Sequence, residues 1–249
     1  MKALRVITPG ALSLVQDLGR QGVGHLGFSR GGPVDLHAFC WANRLVGNPS
    51  QAAAIEITLG QVAFEALNDV TLSLTGAHMP ASIDNQPIEL WRSFLLKKGQ
   101  VLRLGYARTG LRAYLAVQSG IDAPHVHHSC ATVMRNHVGG LDGFPGMALQ
   151  ANQMIAAKCQ QAQLKTPQFV PTRFIPNYIQ ALDIGIFETY QHESFTPSQK
   201  KQFYQTQYLV SDKLDRMGIR LQGEPIHPSA EGIISEGIAP GSIQFPPNG

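Results

Sequence analysis

The sequence is poor in cysteine, in clustered charge and in long apolar runs. Its three cysteines, Cys40, Cys130 and Cys159, are few, odd in number and far apart. This usage argues against a secreted disulfide framework and predicts reduced thiols in the cytoplasm. No apolar stretch approaches the length that a membrane-spanning helix needs. The net charge is +3 and no long basic block occurs, so a nucleic-acid partner, which needs a clustered basic stripe, is disfavoured.

What the chain does contain favours a folded domain with many turns. Apolar residues make up 43% and charged residues only 15%, a balance that excludes intrinsic disorder, which needs high charge and low hydrophobicity. The chain is long enough to bury a core without metals or disulfides. Its 25 glycines and 16 prolines suit turns between short strands.

Short apolar runs bounded by Gly, Pro, Asn or Asp predict a mainly β protein. Several of the runs alternate apolar with polar residues, as half-buried strands do. Few helices are available for parallel crossovers, so we expect mainly antiparallel pairing. The predicted strands are 4–8, 12–16, 54–58, 62–66, 70–75, 101–106, 112–117 and 183–187.

Three segments carry helix signals. Residues 34–47 have apolar residues at helical spacing after Pro33, residues 197–206 follow a Thr-Pro start, and 211–218 run from a serine to a glycine. The polar, proline-bearing stretch 158–178 predicts a connection between two β units. We therefore expect an N-terminal unit at 1–160 and a second unit at 161–249.

Two glycine motifs overlap in the loop between residues 19 and 32. One matches GxGxxG, but the residues that follow cannot form the helix that a dinucleotide site requires. The other matches the GxSxG nucleophile elbow around Ser29, but no buried strand leads into this serine. The glycines leave backbone N–H groups open to a ligand, and Arg20 and Arg30 flank them. The loop is either an anion or carboxylate site or a purely structural glycine loop.

Histidines gather near the middle of the chain. His125, His127, His128 and His137 lie close to Cys130 in sequence and could supply metal ligands. Zinc chemistry needs about three converging ligands, and nothing at HExxH-like spacing completes the set. Histidines in a turn are more often solvated, so we predict no metal site.

Polar side chains on apolar elements are further candidates for a site. Asp35, Asn43 and Arg44 accompany the first predicted helix, and Glu56 follows on a strand. Such side chains either face solvent or line a site. In the second half, Arg216 and Glu236 have the same two interpretations.

Several segments occur in the order that one protein family shows, and together they cover essentially the whole chain. They are 14–35 (LVQDLGRQGVGHLGFSRGGPVD), 42–60 (ANRLVGNPSQAAAIEITLG), 74–77 (LTGA), 112–121 (RAYLAVQSGI), 211–223 (SDKLDRMGIRLQG) and 234–249 (ISEGIAPGSIQFPPNG). The chain closely resembles the allophanate hydrolase subunit 2 family. This family is also called KipA or PxpC, the C-type subunit of 5-oxoprolinase, and it is related to the biotin-dependent carboxyltransferase domain of urea carboxylase. The resemblance implies a pair of cyclophilin-like β-barrel units with a few short helices.

The resemblance implies a cytoplasmic enzyme subunit, inactive without its partners. With a KipI-like subunit (PxpB) and a LamB/YcsF-like subunit (PxpA), it would open the lactam 5-oxoproline to glutamate and hydrolyse ATP. The ATP, with or without magnesium, would be held by this chain or by the partner. We assign substrate or phosphate binding and catalytic or orienting roles as hypotheses. The proposed binders are Arg20, Ser29, Arg30, Asn43, Arg44 and Arg216, and the proposed orienting or proton-handling groups are Asp35, Glu56 and Glu236.

Two other functions remain open. One is a non-catalytic KipA-type regulator that binds a KipI-like kinase inhibitor. The other is a biotin-dependent carboxyltransferase component that acts on a urea-like amide, with biotin arriving on another chain because no Met-Lys-Met context occurs here. Two charged positions that the family shows within 127–153 are lost. Members of the family also continue past the position of Gly249, so the resemblance implies an incomplete C-terminal end.

Overall fold

The apolar runs of the chain fold into antiparallel sheets. The computed structural model describes residues 1–158, 166–229 and 238–246. It contains two compact units, Met1–Gln180 and Ala181–Gly249. The expected fold class, mainly β with few short helices, is confirmed. No helix within the described ranges has the length and hydropathy that crossing a bilayer requires.

The first unit holds two sheets and one α-helix. Each predicted strand up to residue 117 forms, and short strands that the sequence pattern did not predict complete the edges. The elements are β1 (Lys2–Pro9), β2 (Leu12–Gln16), α1 (Leu36–Leu45), β3 (Ala54–Thr58), β4 (Gly60–Ala66), β5 (Val70–His78), β6 (Ala81–Ile83), β7 (Gln86–Ile88), β8 (Arg92–Leu96), β9 (Val101–Tyr106), β10 (Thr109–Val117) and β11 (Met154–Ala156).

The two sheets face one another across a shared core. The six-stranded sheet has the order β11-β1-β4-β9-β6-β7, and the five-stranded sheet has the order β2-β3-β10-β5-β8. Alternate residues of each strand point inward because side chains on a strand alternate between its faces. The six-stranded sheet contributes buried Leu4 and Phe64, and the five-stranded sheet contributes Ile55, Leu72 and Leu115.

Helix α1 forms a third layer on the outer face of the five-stranded sheet. Asp35 is its N-cap residue, and the Asp35 carboxylate accepts from the backbone N–H of Ala38 at 2.9 Å. Two hydroxyls on β5 reach the helix backbone: Ser73 Oγ donates to the carbonyl of Ala42 at 2.6 Å, and Thr75 Oγ1 donates to that of Ala38 at 2.7 Å. The helix is therefore held to the sheet by hydrogen bonds as well as by apolar packing.

We expect the Thr75→Val substitution to lower the free energy of unfolding by about 1 kcal/mol, because it deletes one buried hydrogen bond with little change of shape. Denaturant unfolding measures the change. Thr8→Val, at an exposed position of β1, is the control and should stay within about 0.5 kcal/mol of the parent. Equal values for the two variants would show that the Thr75 hydroxyl contributes nothing to stability.

The chain passes from one sheet to the other through a sharp corner between β3 and β4. Leu59, Gly60 and Gln61 all have left-handed backbone angles, with φ of 64, 85 and 60°. A Cβ at Gly60 would lie 2.1 Å from the carbonyl oxygen of Gly105. Only glycine fits at this point, because the neighbouring backbone occupies the space of a side chain.

The second unit is smaller and mostly irregular. Helix α2 (Pro197–Gln205) is confirmed, with Thr196 as N-cap in a capping box with Gln199. The helix predicted over 211–218 is wrong: β12 (Leu209–Leu214) and β13 (Ile219–Gln222) pair there as a hairpin. Its turn is closed by Asp215, whose Oδ1 accepts from the N–H groups of Met217 at 2.6 Å and Gly218 at 3.0 Å.

The strand predicted over 183–187 is also wrong, since these residues adopt no regular structure. Ile184 and Phe187 are 80% and 87% exposed. The apolar alternation therefore has no buried face within this part of the described chain, and a strand needs a pairing partner as well as propensity.

Candidate functional site

The glycine-rich loop between β2 and α1 forms one wall of an open depression. The depression is lined by Arg20, Gln21, Gly22, Val23, Gly24, Phe28 and Arg30. Within the described part of the chain, the backbone N–H groups of residues 21–24 make no hydrogen bond. Consecutive unpaired N–H groups favour an anion, and the exposed side chain of Arg30 lies at the same rim.

Arg20 is part of the wall of this depression. It is only 1% exposed, and its Nη1 donates to the carbonyl of Ala131 at 2.7 Å. Its Nε and Nη2 donate to the carbonyls of Val126 and Ser129 at 3.1 and 3.3 Å. Burial lowers the pKa of Arg20, and the nearby charge of Asp17 opposes that change. Arg20 thus fastens the loop to residues 126–131 by contacts that a free anion-binding arginine would not make.

Asp17 lies beneath this loop and is almost fully buried. Its Oδ1 accepts from Ser129 Oγ at 2.6 Å and from the N–H of Gly19 at 2.8 Å. Its Oδ2 accepts from the N–H of Cys130 at 2.7 Å and from the Cys130 thiol at 3.3 Å. Burial by itself would raise the pKa of Asp17, but these hydrogen bonds together lower it. Burial and the Asp17 carboxylate raise the pKa of Cys130 to about 12, so the thiol keeps its proton.

Tyr114 links the carboxylate of Glu56 to the backbone of Asp35. The Tyr114 hydroxyl donates to Glu56 Oε2 at 2.8 Å and accepts from the backbone N–H of Asp35 at 2.8 Å. Glu56 Oε2 also accepts from the N–H of Val34 at 3.0 Å, and Arg112 Nε lies 3.6 Å from Glu56 Oε1. Burial raises the pKa of Tyr114, which keeps this hydroxyl protonated. The buried Glu56 therefore orients the end of the loop where α1 begins.

The segment 166–180, named here the strap, contacts this network at Asp35. The hydroxyl of Tyr178 donates to Asp35 Oδ2 at 2.6 Å, while Asp35 Oδ1 caps α1. Burial and the hydrogen bond to Asp35 raise the pKa of Tyr178. The strap is held in place by a contact of 2.7 Å between His37 Nε2 and the carbonyl of Phe174. Asp35 is thus shared between helix capping and the strap.

The other predicted binders of the first unit lie apart from this network. The backbone N–H of Ser29 donates to Asn136 Oδ1 at 3.0 Å. Asn43 is fully buried, and its side-chain amide joins α1 to the carbonyl of Ala52 at 2.9 Å. Arg44 is exposed, with its guanidinium 5.1 Å from the centre of the Trp41 ring. The structure therefore places Asn43 and Arg44 at the end of α1 away from Asp35.

Two predicted site residues belong to the second unit. Arg216 lies in the turn between β12 and β13, and burial lowers the pKa of its guanidinium. Glu236 lies outside the described residues. Their predicted roles stay predictions.

The sequence pattern did not single out Asp17, Arg112, Tyr114 or Tyr178. A partial signal existed for Tyr114, which lies directly opposite Glu56 in the pairing of β10 with β3. A polar side chain facing a buried carboxylate across two apolar strands is an expected pair. Tyr178 and Asp17 carried no such signal, because their partners are more than a hundred residues away in the chain.

The two packed sheets with α1 on one outer face define a carboxyltransferase-type fold. The structure of TTHA0988 superposes on all of this chain with a TM-score of 0.84 at 28% identity, and the match covers 47% of that protein, about half its length. The Kluyveromyces lactis urea amidolyase structure matches 92% of this chain with a TM-score of 0.78 at 25% identity, and 14% of that chain is covered.

The chain belongs to the family described as carboxyltransferase domain, subdomain A and B, which matches residues 26–249. It is 34% identical to the C-type subunit of 5-oxoprolinase of Escherichia coli K12 over 247 residues, which are 99% of this chain and 77% of that protein. It is also 30% identical to urea amidolyase of Saccharomyces cerevisiae over 229 residues, which are 89% of this chain and 12% of that protein. The resemblance that the sequence segments indicated is thereby confirmed.

Proposed function

We propose that the chain is the C-type subunit of a cytoplasmic, ATP-dependent 5-oxoprolinase that opens 5-oxoproline to glutamate. Its partners would be a KipI-like subunit and a LamB/YcsF-like subunit. The proposal is supported by the similarity of 99% of the chain to the corresponding Escherichia coli subunit. The observation that carries it within the site is the row of unpaired N–H groups at residues 21–24 beside Arg30.

A lactam carbonyl is unreactive toward water, and ATP would supply the phosphoryl group that activates it. Such transfer depends mainly on positioning and on neutralising negative charge, rather than on a protein nucleophile. The residues of the depression fit an anionic group, because backbone N–H groups and a guanidinium both donate to carboxylate or phosphate oxygens. Arg30 would bind the carboxylate or phosphate directly. Arg20 would keep the loop in position through its hydrogen bonds to carbonyls within residues 126–131.

The carboxylates have a positioning role in this proposal. Glu56 accepts from the N–H of Val34 and from Tyr114, which in turn accepts from the N–H of Asp35. Both N–H groups belong to the segment that joins the glycine loop to α1. By holding this segment, Glu56 would preorganise the loop, and preorganised donors are the main contribution that a protein makes to such reactions.

The test is lactam-dependent release of ADP. The chain is assayed alone, with its KipI-like partner, and with both partners, each with and without 5-oxoproline. We expect release that depends on the lactam only in the complete set. In that set Arg30→Ala should raise the KM for 5-oxoproline about tenfold or more, because it removes a charge-assisted hydrogen bond.

Arg44→Ala is the matched control, because Arg44 is also exposed but lies on the Trp41 ring at the far end of α1. Its KM should equal that of the parent. If ADP release ignores the lactam in every mixture while the KipI-like partner still binds, the chain is not a 5-oxoprolinase subunit. The regulatory function, binding of a KipI-like kinase inhibitor, would then be favoured.

The similarity to urea amidolyase favours one second candidate, a biotin-dependent carboxyltransferase component. In that function the cofactor would be biotin on another chain, and the substrate a urea-like amide. Transfer of labelled carboxyl from carboxybiotin to urea in the presence of this chain would support it. Carboxyl transfer to urea without lactam-dependent release of ADP would identify the carboxyltransferase component, and the opposite pair of results would identify the 5-oxoprolinase subunit.

A further inference from the structure

We propose that Asp17, His125 and Cys130 form a binding site for a divalent cation of the zinc type. Each offers one ligand atom, and these atoms all lie within 4.8 Å of one another. The set joins the end of β2 to the loop that follows β10, so it could not be read from local spacing. It does not depend on the proposed function.

The geometry already matches part of a tetrahedral zinc site. Cys130 Sγ and Asp17 Oδ2 are 3.3 Å apart. With Zn–S near 2.3 Å and Zn–O near 2.0 Å, two ligands of a tetrahedral site lie about 3.5 Å apart. The carboxylate and the thiol therefore need almost no movement to share one ion, and only His125 has to approach.

The burial of the groups supports the same arrangement. Asp17 and Cys130 are buried and held by surrounding hydrogen bonds, whereas His125 is exposed. Among the described residues, no hydrogen bond or ion pair engages the His125 imidazole, so its ring nitrogens can turn inward. A buried pair held by hydrogen bonds, with one exposed outer ligand, leaves the ion a path of entry from solvent.

Charge balance requires the thiol proton to leave. On binding, the S–H bond of Cys130 breaks, the proton goes to solvent, and the sulfur electron pair forms the bond to the metal. The divalent charge then offsets the thiolate and the Asp17 carboxylate. Arg20 remains hydrogen-bonded to the carbonyls of Val126, Ser129 and Ala131. Because Arg20 also lines the depression, the ion would add positive charge beside the anion site.

Cobalt(II) is the probe, because a cobalt–thiolate bond gives a charge-transfer absorption band in the near ultraviolet. The full chain is titrated with Co²⁺ under reducing conditions, and Zn²⁺ is then added as competitor. We expect one equivalent of Co²⁺ to produce the band and Zn²⁺ to remove it. Cys130→Ser should abolish the band, whereas Cys40→Ser, at the half-exposed cysteine on α1, should leave it unchanged.

His125→Ala should weaken Co²⁺ binding at least tenfold, since loss of a ligand or its support commonly costs this much. His127→Ala is its control, because His127 packs on Phe28 and is not one of the three ligands. If Cys130→Ser fails to fold, the pair at 125 and 127 still decides the question. The proposal is overturned by the absence of a thiolate band, or by a band or affinity that His125→Ala leaves unchanged.

Discussion

Replacing Arg20 by alanine is expected to lower the free energy of unfolding by about 3–5 kcal/mol, the cost typical of removing one partner from a buried charged network. The guanidinium is 1% exposed and bonds to the carbonyls of Val126, Ser129 and Ala131. Alanine would take the guanidinium donor from the carbonyl of Ala131 and leave the carbonyls of Val126 and Ser129 with only their backbone donors. It would also open a cavity and remove a positive charge close to Asp17. Denaturant unfolding followed by circular dichroism measures the change.

Arg30→Ala is the control, because Arg30 belongs to the same loop but its side chain is exposed. Its cost should be below about 0.5 kcal/mol. Comparing Arg20→Ala with Arg30→Ala also separates direct anion binding from support of the loop, two roles that the sequence alone did not distinguish for these arginines. If Arg20→Ala has the same free energy of unfolding as the parent and loses only anion binding, Arg20 is a direct ligand. Its proposed role in holding the loop against residues 126–131 is then wrong.

The Gly60→Ala substitution should lower the free energy of unfolding by about 2–5 kcal/mol or prevent folding altogether. The left-handed backbone alone costs a non-glycine residue about 1–2 kcal/mol, and overpacking adds about 1–3 kcal/mol. The new methyl would lie 2.1 Å from the carbonyl oxygen of Gly105, which belongs to β9 and cannot move without disturbing the sheet. Soluble yield and thermal unfolding are the measurements.

Gly22→Ala is the control that measures the cost of the left-handed backbone alone, without a steric clash. Gly22 has a similar φ of 70°, but no atom lies within 4 Å of the position that its Cβ would take. Only the left-handed cost of about 1–2 kcal/mol is expected there. Equal destabilisation by the two substitutions would show that the corner between β3 and β4 relaxes freely, and that the close approach of Gly60 to Gly105 costs no stability.

Much of the first unit could be predicted because its strands repeat a clear alternation. The β3 run AIEIT and the β10 run RAYLAV place apolar side chains in the core with a period of two. The helix over 34–47 could be predicted from its apolar spacing after Pro33, whereas the structure begins α1 at Leu36 with Asp35 as N-cap. The short strands β6 and β7 lacked such signals, since three residues cannot establish a period.

The wrong helix prediction in the second unit has an identifiable physical cause. At 211–218 the Ser and Gly resemble helix ends, but Asp215 and Gly218 form a hairpin turn. Turn residues and helix caps share the same residue types, so local sequence does not separate them. The flanking Leu209 and Val210 favour a strand. Their antiparallel pairing with β13 stabilises a hairpin here in place of the predicted helix.

The site could be predicted as residue types but not as contacts. Asp35 and Glu56 stand out in the sequence, and the structure joins them through Tyr114. Arg20 and Arg30 look equivalent in sequence, whereas one is buried against distant carbonyls and the other faces solvent. Burial depends on residues 126–131, and no pattern within the glycine loop carries that information.

The hydroxyl contacts between β5 and α1 also restrict how this family can diverge. Because Ser73 and Thr75 donate to the carbonyls of Ala42 and Ala38, the helix must lie close to the sheet, and both alanines are fully buried. A larger side chain at either alanine would lift the helix and carry Asp35 away from Tyr114. We therefore expect coupled evolution at this layer, in which a lost hydroxyl on β5 accompanies a larger residue on α1.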